Sequence, residues 1–197
     1  VADMGIFSLA KRVAPGLELH VSTQASTTNW HTVQMWKELG ATRVVAAREV
    51  SLADLKEMKD NVDIEIESFV HGSMCISYSG RCLLSNYMTG NRDANRGQCS
   101  QSCRWKYSLV ESNRPGEYYP IEEDEHGTYI FNSKDLCLIH RIPDLYEAGI
   151  DSLKIEGRMK SVHYCATVAK VYRTAIDTYL KEGKDWYVRP EWIAELE

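Results

Sequence analysis

Residues 63–71 read DIEIESFVH. Side chains of a strand point alternately to opposite faces, which puts Ile64, Ile66, Ser68 and Val70 on one side and Glu65, Glu67, Phe69 and His71 on the other. The first face can pack on helices. The second carries carboxylates that need partners wherever water is excluded. SLKIEG at residues 152–157 divides in the same way, Leu153 and Ile155 against Lys154 and Glu156. Both runs therefore read as strands that are covered by helices on one face and line a polar interior, or its mouth, with the other.

Outward from these strands the chain alternates helix and strand patterns. Helices are expected over residues 5–13, 28–39, 52–60, 138–148 and 162–181, with strands over 17–23, 43–47, 63–70 and 152–156. Ser51 is placed to cap one helix and Gly40 to stop another. ELGATRVVAAR (38–48) and EAGIDSLKIEGR (147–158) echo one another as helix end, glycine, short strand and arginine. Repeated units of this kind imply parallel strands joined by right-handed crossovers. An α/β fold follows, either a doubly wound sheet or a barrel, and the polar strand faces favour a partial TIM-type β/α barrel. A whole barrel usually takes about 250 residues, so 197 residues supply part of one. Three stretches result: 1–72 as βα units, 73–133 as a cysteine-rich loop with a small β-hairpin insertion (118–121 with 128–131), and 134–197 as a closing helix, strand and long helix. The opening VADMGIF has no initiator methionine, which leads us to expect a piece of a larger protein.

Composition narrows the function. The chain is 44% apolar and 26% charged with a net charge of -5, enough for one core and unsuited to bulk adhesion to nucleic acid. Charge is nonetheless uneven: Arg81, Arg92, Arg96, Arg104 and Lys106 face only Asp93 between residues 72 and 107, and an acidic stretch follows. No apolar run reaches transmembrane length, and no charged-then-apolar leader is recognisable. A reducing, cytoplasmic location is expected, where clustered thiols ligate or catalyse more often than they cross-link.

Four of the six cysteines, Cys75, Cys82, Cys99 and Cys103, fall within residues 67–107, separated by six, sixteen and three residues. The CxxxC pair can present both sulfurs on one face of a helical turn. Neither paired zinc knuckles nor ferredoxin runs have this spacing. It points to a soft metal held by thiolates and leaves zinc and an iron-sulfur cluster level. Cys165 reads as core packing.

ESFVHGSMCISYSGRCLLS (67–85) resembles the signature of the collagenase-like peptidase family of unassigned mechanism, family 32 of the U series, through Glu67, Phe69, Gly72, Ser73, Met74, Cys75, Gly80, Cys82, Leu84 and Ser85. The likeness continues through GQCSQSCRWKY (97–107), FNSKDL (131–136) and KIEGRMKS (154–161), where it is nearest to the prephenate-dependent tRNA hydroxylation proteins. The resemblance implies oxygen-independent hydroxylation of the tRNA wobble uridine, prephenate as co-substrate and a four-iron four-sulfur (4Fe-4S) cluster. It implies Cys75, Cys82, Cys99 and Cys103 as cluster ligands, with Cys137 as the substitute. A paralogous subunit is a candidate partner.

The remaining site candidates sit at expected strand ends. Glu67 and His71 are candidate proton carriers, although Glu67 and Lys154 could equally form a structural pair. Arg48 and Arg158, with Lys154 and Glu156 nearby, suit a dicarboxylate, because guanidinium forks pair bidentately with carboxylates. Tyr78, Tyr87, Trp105 and Tyr107 interleave with basic residues as an RNA surface requires. Two rival readings are a peptidase with Cys75 as nucleophile and His71 as base, and a zinc-binding scaffold that docks RNA or a partner.

Overall fold

A computed structural model of the chain describes residues 1–105, 107–120 and 135–196. Helix α1 (Met4–Val13) begins where the Asp3 carboxylate accepts the Ile6 amide. Strand β1 (His20–Val21) leads to α2 (Trp30–Glu38), which is capped by Asn29, and then to β2 (Arg43–Val45). Helix α3 (Leu52–Asn61) opens with a reciprocal capping box between Ser51 and Asp54, which satisfies two otherwise orphaned amides. Strand β3 (Glu65–Gly72) follows, then the cysteine segment with its one short helix α4 (Leu84–Thr89). Strands β4 (Ser108–Leu109) and β5 (Tyr119–Pro120) pair antiparallel. The chain finishes with β6 (Leu136–Cys137), α5 (Ile142–Glu147), β7 (Ser152–Glu156), α6 (Val162–Glu182) and α7 (Pro190–Leu196).

The sheet is mixed. Strands β1, β2, β3 and β7 lie side by side and parallel, while β6 runs antiparallel against His71 and Gly72 of β3. Among the described residues β1 and β7 do not pair, so the sheet is open and no closed barrel is formed. Helices α1 to α3 bury Phe7, Trp36 and Met58 against Val21, Val44 and Ile66. A second cluster gathers Val70, Ile139, Leu145, Val168, Val171 and Trp192 around α5, α6 and α7. Each such side chain contributes roughly 1.5–3 kcal/mol by leaving water.

Three expectations change. The strand expected over 17–23 is cut to two residues, because the Ser22 hydroxyl accepts the Gln24 amide and starts a turn at Thr23–Ala25. The helix expected over 138–148 begins as a tight turn and becomes α-helical only from Ile142. Ahead of it, β6 docks on β3, and the Leu138 amide donates to the Val70 carbonyl and the Tyr172 hydroxyl at 2.9 and 3.0 Å. Lastly, β3 does not alternate to its end. Phe69 pairs with Lys154 and His71 with Ile155, so two residues of β3 advance against one of β7. A bulge of this kind bends the strand and re-aims the side chains beyond it. The hairpin strand expected over 128–131 lies outside the described residues.

Gly72 ends β3 at φ +103, where a Cβ would lie 2.2 Å from the Glu156 carbonyl oxygen of β7. Backbone cannot swing aside as a side chain can. Gly72→Ala should lower the unfolding free energy by at least about 1–3 kcal/mol, the scale of one forced positive-φ residue, as read by urea denaturation.

Candidate active site

Four parallel strands deliver their carboxyl ends to one edge of the sheet, the place where open and closed α/β folds build sites. Thr23 and Gln24 follow β1, Arg48 and Glu49 follow β2, Ser73 to Cys75 follow β3, and Gly157 and Arg158 follow β7. Two cavities meet there. The larger, about 580 Å³, is lined by Phe69, Arg96 and Lys154 among others; the smaller, about 60 Å³, is lined by Cys75, Cys82, Cys99 and Cys103. Gln24, Arg48, Glu156 and Arg158 line both.

The larger cavity has a cationic rim. The Arg48 guanidinium lies 3.9 Å above the Phe69 ring, and its buried Nε finds no hydrogen-bond partner among the described residues. The Arg158 guanidinium likewise has no carboxylate partner among them, whereas its own amide donates to Glu156. Lys154 is engaged: its ammonium is 2.7 Å from Glu67 Oε1, while Glu67 Oε2 accepts Ser152 at 3.0 Å and Arg43 at 3.3 Å. Burial alone would push the Glu67 carboxyl up, but hydrogen bonding and charge from Lys154, helped by Ser152 and Arg43, bring it below the ordinary value. Glu67 is thus a fixed carboxylate, both oxygens occupied, that aligns β3 with β2 and β7.

The cysteine segment is folded by tethers to the strand ends. Both the amide and the hydroxyl of Ser79 donate to the Glu49 carboxylate, and the Arg48 amide donates back to the Ser79 hydroxyl. Gly80 turns at φ +74 so close to β1 that a Cβ would meet the Gln24 oxygen at 2.1 Å. Ser85 and Ser100 hydrogen bond to each other in the interior, and Arg92 donates to the carbonyls of Gln98 and Cys99. Asp135 accepts ion pairs from Arg104 at 2.6 Å and Lys160 at 2.9 Å, joining the segment to the loop after β7.

The sulfurs sense one another. Burial pushes the Cys75 and Cys103 thiols up; neighbouring cysteines add to this, while Arg48 and Arg104 respectively oppose it. The Gln101 amide donates to Cys99 Sγ at 3.3 Å. No three His, Cys, Asp or Glu among the described residues close on a single ion position. Four thiolates around one zinc would stand about 3.8 Å apart, given tetrahedral bonds of about 2.3 Å. The donor set is soft, and three arginines, Arg48, Arg104 and Arg158, line the same cavity.

His71 and Cys137 stand elsewhere. They line a separate cavity of about 560 Å³ with Asp135, Lys160 and Tyr164. His71 is 4% exposed, and its Nδ1 is 3.4 Å from the Tyr172 hydroxyl, which donates to the Val70 carbonyl at 2.8 Å. Burial lowers the imidazole pKa, Asp135 works against that, and Lys160 reinforces it. His71 is not brought together with Arg48 and Arg158, nor Cys137 with the other cysteines.

Comparison with known proteins adds a lineage to this geometry. Residues 1–197 match the profile of Peptidase family U32. The chain belongs to that family. It is 53% identical over all of its length to "tRNA hydroxylation protein P1" of Bacillus subtilis (strain 168), covering 46% of that protein. It is 42% identical over 90% of its length to "tRNA hydroxylation protein P" of Escherichia coli (strain K12), covering 48% of that one. The chain therefore spans about half the length of the curated relatives it matches. The solved structure of the U32 peptidase Mk0906 aligns with 79% of the chain and 52% of its own at 13% identity and a TM-score of 0.39, too slight a likeness to carry an argument.

Within this U32 chain, sequence reasoning found Arg48, Glu156, Arg158 and the four cysteines, and the structure gathers them on one pair of cavities. It missed Glu49, Ser79, Gln101 and Asp135, which hold the others in place. Their contacts with other elements span 25 to 56 residues of sequence, and no local pattern marks them. Among the described residues no helix is long and apolar enough to cross a membrane.

Two outcomes follow. Glu49→Ala should release Ser79 and make trypsin cleave after Arg81 several-fold faster in limited proteolysis, with the rest of the digest unchanged. Because the folded Glu67 carboxyl lies below its ordinary 4.5, the stability it adds is complete above that pH and lost as pH falls through the folded value. The stability gap between the wild type and Glu67→Gln should thus be flat above pH 4.5 and shrink below it in a series of urea titrations.

Proposed function

We propose that this chain carries the cofactor and donor sites of an RNA-hydroxylating enzyme that modifies the wobble uridine of tRNA with prephenate rather than dioxygen. One observation carries the reading: a cavity lined by four cysteines shares its wall with a larger cavity where Arg48 and Arg158, without a carboxylate partner among the described residues, suit a dicarboxylate. The names of the relatives at 53% and 42% identity supply the substrate class.

In this reading Cys75, Cys82, Cys99 and Cys103 would hold a 4Fe-4S cluster through their sulfurs. When bound, such a cluster supplies one-electron chemistry, tuned by hydrogen bonds to its sulfurs and by solvent exposure. The Gln101 amide is one such hydrogen bond. Arg48 and Arg158 bind the carboxylates of prephenate, and Lys154 fixes the cavity wall through Glu67. Tyr78, Tyr87 and Trp105 are 73, 83 and 46% exposed in the same segment as the exposed Arg81 and Arg96, side chains that offer stacking and phosphate contacts to an unpaired RNA strand. Tyr107 turns inward, its hydroxyl donating to the Ser102 carbonyl. The open sheet is part of a β/α barrel completed by other parts of the protein. A cytoplasmic location and a paralogous partner belong to the same proposal.

No observation favours a peptidase: its nucleophile Cys75 and base His71 line different cavities.

Anaerobically purified full-length protein should contain iron and sulfide, and Ser in place of Cys75, Cys82, Cys99 or Cys103 should abolish both. Cys137→Ser should leave them intact; iron lost from Cys137→Ser but kept in Cys103→Ser would transfer the fourth ligand to Cys137. Arg158→Ala should weaken prephenate binding at least about 10-fold by calorimetry, consistent with losing a charged hydrogen bond of about 1.5–3 kcal/mol. A colourless zinc protein, or prephenate binding indifferent to Arg158, would sink the reading.

A further inference from the structure

Among the described residues Gln101 is one of two non-glycine residues with positive φ, at φ 55 and ψ 35. Side chains rarely adopt this left-handed conformation, and where they do the surroundings hold them there. Here three contacts do so. The Gln101 amide donates to Cys99 Sγ at 3.3 Å, its side-chain oxygen accepts from the Ser73 hydroxyl at 3.3 Å, and its side-chain nitrogen donates to Glu156 Oε2 at 2.8 Å. One residue thereby joins the cysteine segment, the end of β3 and the end of β7.

The contact with Glu156 bears on the cationic wall. Glu156 lines both cavities beside Arg48 and Arg158. A free carboxylate in that place would pair with the nearest guanidinium, since such pairs are the strongest side-chain hydrogen bonds available. Instead Glu156 Oε2 is taken by Gln101 and Oε1 accepts the Arg158 backbone amide at 3.1 Å. Among the described residues Glu156 forms no ion pair, and the Arg158 guanidinium remains without a carboxylate.

We propose that Gln101 is a positioning residue, acting through Glu156: it occupies that carboxylate so that Arg158 stays available for an anionic co-substrate next to the cysteine cavity. The co-substrate's identity as prephenate rests on the function proposed above, but the availability of Arg158 does not. Removal of the Gln101 side chain frees Glu156 to neutralise Arg158. Removal of the Glu156 charge as well restores the arginine.

Gln101→Gly is the suitable variant, because glycine accepts the positive φ and keeps the amide that faces Cys99. The full-length protein, wild type, Gln101→Gly and the double variant Gln101→Gly with Glu156→Gln, is first treated with phenylglyoxal, and modification of Arg158 is followed by peptide mass spectrometry. Arg158 should react several-fold more slowly in Gln101→Gly and at the wild-type rate in the double variant. Prephenate binding, measured by calorimetry, should fall about 10-fold in the single variant and recover in the double, with iron content the same in all three. Equal Arg158 reactivity in wild type and Gln101→Gly, or a slowing that the double variant does not reverse, overturns the proposal. Reactivity that follows the expected pattern while the wild type binds no prephenate upholds the role of Gln101 and overturns the identity of the donor.

Discussion

The parallel pairing of β3 with β7 governs the rest of this molecule. It covers residues 67–72 of one strand and 152–156 of the other, the most extensive pairing among the described strands. It is cemented across the polar face by Lys154 and Glu67 and tightened at the top by the contact of Gly72 with the Glu156 carbonyl. Three of the four side chains that line both cavities are placed relative to that pair. Glu156 ends β7, Arg158 follows it, and Arg48 is stacked on Phe69 of β3. The glutamate in the pair contributes as a constrained charge with three partners, which makes it a structural element of the sheet.

The bulge near the end of β3 separates two environments. Before it, Phe69 supports the arginine-rich cavity. Beyond it, Val70 and His71 turn toward α6, where the Tyr172 hydroxyl satisfies the Val70 carbonyl and the Leu138 amide together. A strand with unbroken alternation would have set His71 beside Arg48. One inserted residue was enough to move a buried imidazole into a different cavity, because side-chain direction in a strand has a period of two.

The cysteine segment has little regular structure of its own, one short helix and a few tight turns. Its shape comes from polar tethers at both ends: Glu49 to Ser79 on the side of β2, and Asp135 with Arg104 and Lys160 on the side of β7. The buried Ser85 hydroxyl, which accepts the Ser100 amide, and Arg92, which donates to the Gln98 and Cys99 carbonyls, satisfy backbone groups that have no sheet or helix to join. Four thiols held this way depend on the strand ends for their geometry, which ties their placement to the integrity of the sheet.

Much of this was legible in the sequence, where the determining physics is local. Alternation marked β3 and β7, Gly40 and Ser51 marked the end of α2 and the start of α3, and a multiply constrained signature around Cys75 and Cys82 marked the family. The cysteines and arginines of the site were recognisable by residue type and strand-end position. What local pattern could not carry was decided by contacts distant in sequence: β6 docking on β3, the bulge that re-aims His71, the separation of Cys137 from the other thiols, and the roles of Glu49, Gln101 and Asp135. Each depends on a hydrogen bond or ion pair whose partner comes from another element. The energy of such a contact exists only once the strands have already met, so the sequence specifies it without displaying it, and tertiary structure alone settles where those side chains point.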